Sequence, residues 1–363
     1  MSSRFRNCVA TIDLAAIRDN YRHACSLAPE SRALAVVKAN AYGHGAVAVA
    51  RALQGLAPAF AVAIIEEAVE LREAGITEPL LLLQGVNSAA ALKAAARRDL
   101  TLMVHNEEQL NLLAATTLPR PVHVWLKIDT GMHRLGLPPA RIDDALAILR
   151  ASSACENDIV VCTHLASADN LDSPYTKQQL DIFAACTSAY DLPQSISNSA
   201  AILAWPASHR HWNRPGFMLY GYSPLTVNHP ENHALRPAMT LSSEVIAVRE
   251  ITAGDAVSYN NRWKADAPAR IATIAIGYAD GYPRCAPSGT PVLINGVEVP
   301  LAGTVTMDMI TVDVTRAPGV KPGDHAQLWG PELPATRVAE AVATSAYELL
   351  TRVSARVHRE YRD

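Results

Sequence analysis

The chain of 363 residues contains no apolar run near the ~18 residues that a membrane-crossing helix requires, which leaves no candidate span. Its N-terminal stretch, MSSRFRNCVATIDL, lacks the apolar segment of a secretory leader. It also lacks a C-x-x-C pair. The six cysteines (Cys8, Cys25, Cys155, Cys162, Cys186 and Cys285) are scattered, which argues against a zinc site and against a disulfide framework. Reduced, mostly buried thiols in a cytoplasmic protein are expected. No glycine pattern of the P-loop or G-x-G-x-x-G kind follows a strand-like run. A net charge of −3 provides no basic field for nucleic acid or for an anionic membrane surface. The nearest approach to a metal set is His209 and His211 with His229 and His233. These lie in Pro- and Asn-rich stretches without paired carboxylates, so no metal is expected. What remains is small-molecule chemistry.

With 49% hydrophobic residues, a chain of this length can bury a large core and fits two domains. From about Arg32 to Gly221, eight short apolar runs (ALAVVK, AFAVAII, PLLLLQGV, TLMVHN, VHVWLKID, IVVCTHLA, SISNSA, GFMLYG) alternate with alanine- and leucine-rich stretches of helical period. The seventh and eighth runs fit the pattern least. Buried strands alternating with helices imply parallel pairing, and the simplest closure is a (β/α)8 TIM-like barrel; a doubly wound open sheet is the rival. After Gly221, SPLTVNHPENHALRP reads as a linker. Beyond it come strand-like stretches, a hairpin at INGVEV, where Asn295-Gly296 suits a primed turn, and one helix from roughly Ala335 to Thr351. The expected organisation is an α/β barrel over residues 10–230 and a mainly antiparallel β domain over 1–9 and 231–363, with NCVATIDL stitching the two together.

The most informative segment is AVVKANAYGHG. An ammonium at the end of an apolar strand is costly unless it is paired or used covalently. In a parallel barrel that end faces the active site. A desolvated lysine with a lowered pKa is what Schiff-base chemistry with an aldehyde cofactor needs, and the glycines that follow allow a ligand close to the backbone. The plainer reading of position 38, which the spacing favours less, is a lysine that merely extends its amine from a barrel rim, and Arg214 taken alone would suit a surface loop.

VVKANAYGHG resembles the lysine signature of bacterial alanine racemases. The resemblance continues in order through LKIDTGMHRLG, THLASAD, SNSA, WNRPGFMLYG, VSYNNRW, GYADGYPR, MDMITVD and SAYELLTRVSARV, nearly the whole chain. It implies a pyridoxal 5'-phosphate-dependent isomerase that interconverts L- and D-alanine, working as a homodimer with shared active sites. Lys38 would carry the cofactor and serve as one acid/base group. Tyr259 from the partner chain would serve as the other, on the opposite face of the substrate. A free phenol, with a pKa of about 10, is a poor base without help; the family assigns that tuning to His164, linked to Arg214. Arg214 would face the pyridine nitrogen, and because a guanidinium keeps its protons the ring becomes a weaker electron sink, favouring proton shuttling over transamination. The phosphate would be cradled by Tyr42, Ser199, the amides of Gly216 and Phe217, and Tyr347. Arg134 and the backbone N–H of Met307 would meet the substrate carboxylate. Lys127 resembles the family's carbamylated lysine, whose modification turns repulsion from Arg134 into an ion pair. Tyr278, Asp169 and Arg284 match the entry corridor, and Tyr259 with Tyr347 would narrow it to a methyl side chain.

Three positions depart from the family pattern. Asn260-Asn261 stand where glycine is common, Thr304 stands where many members place arginine, and SISNSA lacks the methionine- or histidine-bearing form. The alternatives are a racemase of broader specificity, a noncatalytic pyridoxal-phosphate carrier on the same barrel, and a decarboxylase of basic amino acids. The β domain with Tyr259 and Met307 speaks against the carrier, and Arg214 in place of an acidic partner speaks against the decarboxylase.

Overall fold

The computed structural model describes residues 6–225 and 229–363, and these divide into two compact units. One comprises Ile17–Ala41 and Ala46–Leu235. The other comprises the chain through Ala16, Tyr42–Gly45 and Arg236–Asp363.

The first unit is a parallel barrel. Strands Phe60–Val62, Leu80–Leu82, Leu100–Val104, Val124–Lys127, Val160–Cys162, Gln194–Ser195 and Trp212–Asn213 each pair in parallel with the next. Most are buried at every residue, as expected for strands covered on both faces, which is why they read as continuous apolar runs. The ring is closed by one stretch interrupted at Leu34, whose pieces Arg32–Ala33 and Ala35–Val36 face opposite neighbours. The N–H groups of Arg32, Leu34 and Val36 donate to the carbonyls of His211, Asn213 and Pro215, while those of Ala35 and Val37 donate to Ala59 and Ala61. Alternating amides serve the two sides because successive groups on a strand point opposite ways.

The helices between strands bury one stripe each. In Ile142–Ala151 the buried residues are Ile142, Ala145, Leu146 and Leu149, the i, i+3, i+4, i+7 set of a single face. The helices Ala89–Arg97 and Glu107–Ala115 start where Ser88 and Asn106 accept from backbone amides three residues on. Two sequence expectations are corrected here. The eighth strand is Trp212–Asn213, and GFMLYG instead forms a 3-10 turn over Phe217–Tyr220. Of SISNSA only the first serine is in a strand; Asn198 caps the helix Ser199–Ala204 through its side chain, which ends the extended backbone.

The second unit is built on a mainly antiparallel sheet in the order Val297–Pro300, Pro291–Ile294, His325–Trp329, Met239–Ile251, Val9–Asp13, His358–Arg362, with Ala269–Ile274 attached to the long fourth strand and Ile310–Asp313 to Ala269–Ile274. Val9–Asp13 therefore pairs in this sheet, antiparallel to one neighbour and parallel to the other. The Asn295-Gly296 turn has positive φ at both residues (49° and 77°), as a primed hairpin turn requires. The expected late helix is two, Ala335–Ala341 and Ala346–Arg352. The chain breaks at Ala343, which has a φ of 55°, and restarts where Ser345 Oγ accepts from the Glu348 amide at 3.3 Å. The expected linker, residues 223–237, includes 226–228, which lie outside the described residues, and a 3-10 turn over Pro230–Ala234.

Candidate active site

Lys38 does not end its strand but opens a left-handed turn. Ala39, Asn40, Ala41 and Tyr42 have φ of 52°, 53°, 53° and 51°, and Gly43 follows at 86°. Such a conformation costs a residue with a Cβ roughly 1–2 kcal/mol, so several kcal/mol must be recovered from surrounding bonds. The Ala41 amide donates to Val37 O at 2.8 Å, the Ala46 amide to Asn40 Oδ1 at 2.8 Å, and the Ala39 amide to Glu67 Oε1 at 2.6 Å. Gly43 is required: a Cβ there would lie 2.1 Å from the Leu350 carbonyl oxygen.

Around this turn the first unit gathers bases. Burial pushes the Lys38 amine down from its ordinary value, and Arg134 and Arg214 push it further, against the opposing charge of Glu67. Lys127, buried at the end of the Val124–Lys127 strand, is lowered to about 8, first by desolvation and then by Arg214 and Arg134. His164 stands two residues beyond the Val160–Cys162 strand. Desolvation, reinforced by the charges of Arg214, Lys127, Arg134 and Lys38, holds its ring well below the usual imidazole range and hence neutral.

Arg214 is buried, not a surface loop residue. Its guanidinium donates to Ser195 Oγ at 2.6 Å, Thr163 O at 2.7 Å and Ile196 O at 3.0 Å, and it meets His164 Nδ1 at 3.3 Å. These partners fix its plane, and none is a carboxylate. Ser199, the first residue of its helix, receives the amides of Gly216 (3.0 Å) and Met218 (3.3 Å) on its hydroxyl oxygen. Phe217 begins the adjoining turn. Arg134 is exposed in the loop after Ile128, where Asp129 ties down the Gly131 and His133 amides at 2.9 and 3.1 Å. Asp169 is also exposed.

Sequence reasoning missed three supports. Glu67 and Asn40 hold the left-handed turn. Buried Gln179 accepts from the Ala166 amide at 2.8 Å and donates to His164 O at 3.2 Å, bracing the His164 segment. Glu67 stands in the sequence as an ordinary first-turn helix acid, and nothing local marks it otherwise.

The second unit holds the remaining candidates. Tyr42 is buried, its hydroxyl pushed up to about 12 by desolvation, with its ring 6.0 Å from that of Tyr347. Tyr259 is 69% exposed and Met307 52% exposed. Tyr259 lines an open hollow of about 470 Å³ together with Ser258, Thr273, Thr306, Met309, Ile310 and Thr311. Both departures from glycine beside Tyr259 adopt positive φ, Asn260 at 64° and Asn261 at 51°, a region asparagine tolerates. Thr304 Oγ1 donates to Tyr259 O at 3.3 Å. Tyr278 donates its amide to Thr306 O at 3.0 Å, and Arg284 is exposed.

The barrel thus presents a nucleophilic amine, a buried guanidinium without a carboxylate partner, and amide and hydroxyl donors gathered at Ser199. That donor set suits a phosphorylated aldehyde and defines an enzyme of amine–carbonyl chemistry built on a parallel barrel. The N-terminal domain family of alanine racemases matches residues 12–224 and the C-terminal domain family matches 238–361. An alanine racemase of Chromohalobacter salexigens is 49% identical over 358 residues, covering 99% of this chain and 98% of that one. One of Thioalkalivibrio sulfidiphilus is 50% identical, covering 97% and 98%. The crystal structure of the biosynthetic alanine racemase from Pseudomonas aeruginosa superposes with a TM-score of 0.95 at 45% identity, covering 99% of this chain and all of the other. The chain belongs to the alanine racemase family, pyridoxal 5'-phosphate-dependent isomerases that act on amino acids.

Proposed function

We propose that this chain racemises alanine with Lys38 and Tyr259 as its two proton-transferring groups. The observation that carries the reading is Lys38 itself: an amine lowered by burial and by two arginines, presented by a braced turn at the rim of the barrel. When bound, pyridoxal 5'-phosphate supplies the electron-withdrawing system that acidifies the Cα–H bond of the attached amino acid. Racemisation requires only that a proton leave one face of Cα and return on the other. Lys38 holds the cofactor and moves the proton on one face; Tyr259 of a second copy moves it on the opposite face.

The other residues tune and orient. Neutral His164, which keeps one ring proton and meets Arg214 at 3.3 Å, would tune the phenol of Tyr259 from the second copy. Arg214 would face the pyridine nitrogen of the bound cofactor, and because a guanidinium keeps its protons the ring would be a weaker electron sink, favouring proton shuttling over transamination. Ser199, Tyr42, Tyr347 and the amides of Gly216 and Phe217 hold the phosphate. The Gly216 amide already points at Ser199 Oγ, so an anion there would take over an existing acceptor position. Arg134 and the Met307 amide hold the substrate carboxylate. The neutral amine of Lys127 would form an N–C bond to carbon dioxide and release one N–H proton to solvent, becoming a carbamate anion facing Arg134. Tyr278, Asp169 and Arg284 line the approach.

The barrel within the expected 10–230 would bind the cofactor, and the β domain expected at 1–9 with 231–363 would complete a partner's site; Val9–Asp13 and Tyr42–Gly45 fall in the second unit rather than the barrel. The exposure of Tyr259 and Met307 beside an open hollow supports a homodimer with shared sites. The six free cysteines and the charge balance support a cytoplasmic enzyme that binds neither nucleic acid nor membrane surface. No helix among the described residues is long and apolar enough to cross a membrane.

The test is a panel of L-amino acids incubated with the cofactor-supplemented protein and resolved by chiral chromatography, with Lys38→Ala run in parallel. Alanine should racemise and other amino acids should lag. Lys38→Ala should lose both the near-visible absorbance of the linked cofactor and the activity. An unchanged spectrum in Lys38→Ala, or optically unchanged alanine with the wild type, would refute the assignment; equal turnover of many amino acids would favour the broader racemase.

A further inference from the structure

The turn that presents Lys38 cannot hold itself. Four consecutive residues with side chains sit in the left-handed region, and three of them are alanine or tyrosine, which gain nothing there. Its first amide, that of Ala39, has its acceptor outside the turn and outside its own strand–helix unit: Glu67 Oε1, at 2.6 Å. The second oxygen of the same carboxylate accepts from the Ala63 amide at 2.7 Å, and from Ile64 at 3.4 Å. Ala63 is the residue that follows the strand Phe60–Val62, which pairs with Ala35–Val36. One partly buried carboxylate therefore bridges the C-terminal ends of two adjacent barrel strands, and one of those ends is the residue next to the reactive amine.

We infer that Glu67 is a positioning residue of the active site: by spanning the Ala39 and Ala63 amides it locks the turn that aims Lys38, and it is the carboxylate among the charged groups facing that amine. The inference rests on the role given to Lys38 above. The geometry needs both oxygens and the full length of a glutamate, because two donors approach from different strands. The electrostatics need the charge. Arg134 and Arg214 face Lys38 as cations and His164 as a neutral ring, and among the described residues Glu67 is the anion that opposes them. A group that must both take and give a proton at Cα works best when neither form is strongly disfavoured.

Glu67→Gln keeps the length, removes the charge and turns one acceptor into a donor aimed at an N–H. In cofactor-free protein, hydrogen–deuterium exchange of the segment 37–42, and of the Ala63 and Ile64 amides that share the carboxylate, should then quicken about tenfold or more, the scale of losing one charge-assisted bond, while the rest of the barrel exchanges as before. The pH midpoint for acetic anhydride labelling of Lys38, followed by mass spectrometry, should fall, because the opposing charge is gone. Affinity for pyridoxal 5'-phosphate, titrated by its near-visible absorbance, should weaken by a similar factor. Glu67→Asp, which keeps the charge but is too short to span both amides, should restore the labelling midpoint and not the exchange protection. That separation is something a merely structural residue would not produce. Unchanged exchange and an unchanged labelling midpoint in Glu67→Gln would overturn the inference. If Glu67→Gln does not fold, the aspartate variant decides it: wild-type exchange over 37–42 in that variant rules the clamp out. Failure of the wild type to link the cofactor to Lys38 would instead count against the proposed function and leave the exchange result standing.

Discussion

The two units prepare their functional residues in opposite ways. The barrel buries the candidate cations near its strand ends, Arg214 and Lys127 at 6% and 7% exposed, while Arg134 and Asp169 lie exposed in its loops. The second unit, apart from buried Tyr42, displays its candidates: Tyr259, Met307, Tyr278 and Tyr347 are among its exposed large apolar and aromatic side chains. Burial tunes; display waits. A cation lowered by desolvation is ready for chemistry before any partner arrives, whereas an exposed phenol gains a defined environment only when something covers it.

That contrast breaks most visibly at Tyr259. Tyr259→Phe should slow proton abstraction from one enantiomer by roughly 10²–10⁴-fold, as for loss of a positioned acid/base group, while leaving thermal stability nearly unchanged. Solvent deuterium incorporation measured from each enantiomer checks this, and equal loss in both directions would contradict the two-base scheme. In an equal mixture of Lys38→Ala and Tyr259→Phe subunits, about a quarter of the sites should be intact if sites are shared across a two-fold dimer; no recovery after verified subunit exchange would show that each chain completes its own site.

The second unit also has a rigid interior, and Asp280 is its hub. The carboxylate is fully buried, accepts both Arg6 nitrogens at 2.6 and 2.7 Å, and accepts the Gly277 amide at 2.9 Å beside Tyr278. Burial alone would raise its pKa, but Arg6, Gly277 and Arg356 outweigh that and hold it below the ordinary range. Its stabilisation is therefore present above the usual aspartate range and is lost as acid titrates through the depressed value. Asp280→Asn leaves Arg6 without its carboxylate, while Arg356 keeps Asp308 at 2.8 Å, and should cost about 2–3 kcal/mol in urea unfolding at neutral pH, with a flatter acid limb. A cost under about 1 kcal/mol would mean that the display surface stands without this hub.

For the barrel, the sharper test is Lys127. Its amine loses its proton near 8 in the folded chain but only near the ordinary 10.5 when unfolded. Between those values the unfolded chain holds the extra proton, so stability should rise with pH, by on the order of 3 kcal/mol across the window in protein kept free of carbon dioxide. Lys127→Met should remove most of that slope; an identical slope in both proteins would show that the buried amine is not its source.

The first six barrel strands were legible because each is an apolar run bounded by helical period, and burial on both faces leaves that mark. Gln194–Ser195 and Trp212–Asn213 leave none: they are two residues long, and ring closure rather than hydrophobicity makes them strands. The left-handed turn was half visible, since Asn40 and Gly43 favour it, but Ala39 and Ala41 do not. Its brace, Glu67, lies 28 residues from Ala39 and is brought there only by parallel pairing of the strands. The basic residues of the site were found through motifs; that they surround one neutral imidazole is a property of the fold.

The stretch that closes the ring is the one that carries Lys38. Its amides draw on carbonyls near residue 60 on one side and near residue 213 on the other, so the last-synthesised barrel strand must return before the first is fully bonded. A ribosome-bound or truncated chain that stops short of Trp212 has its reactive lysine on an open, half-satisfied edge. With Lys38 carrying the cofactor as proposed, cofactor capture would await completion of the cylinder.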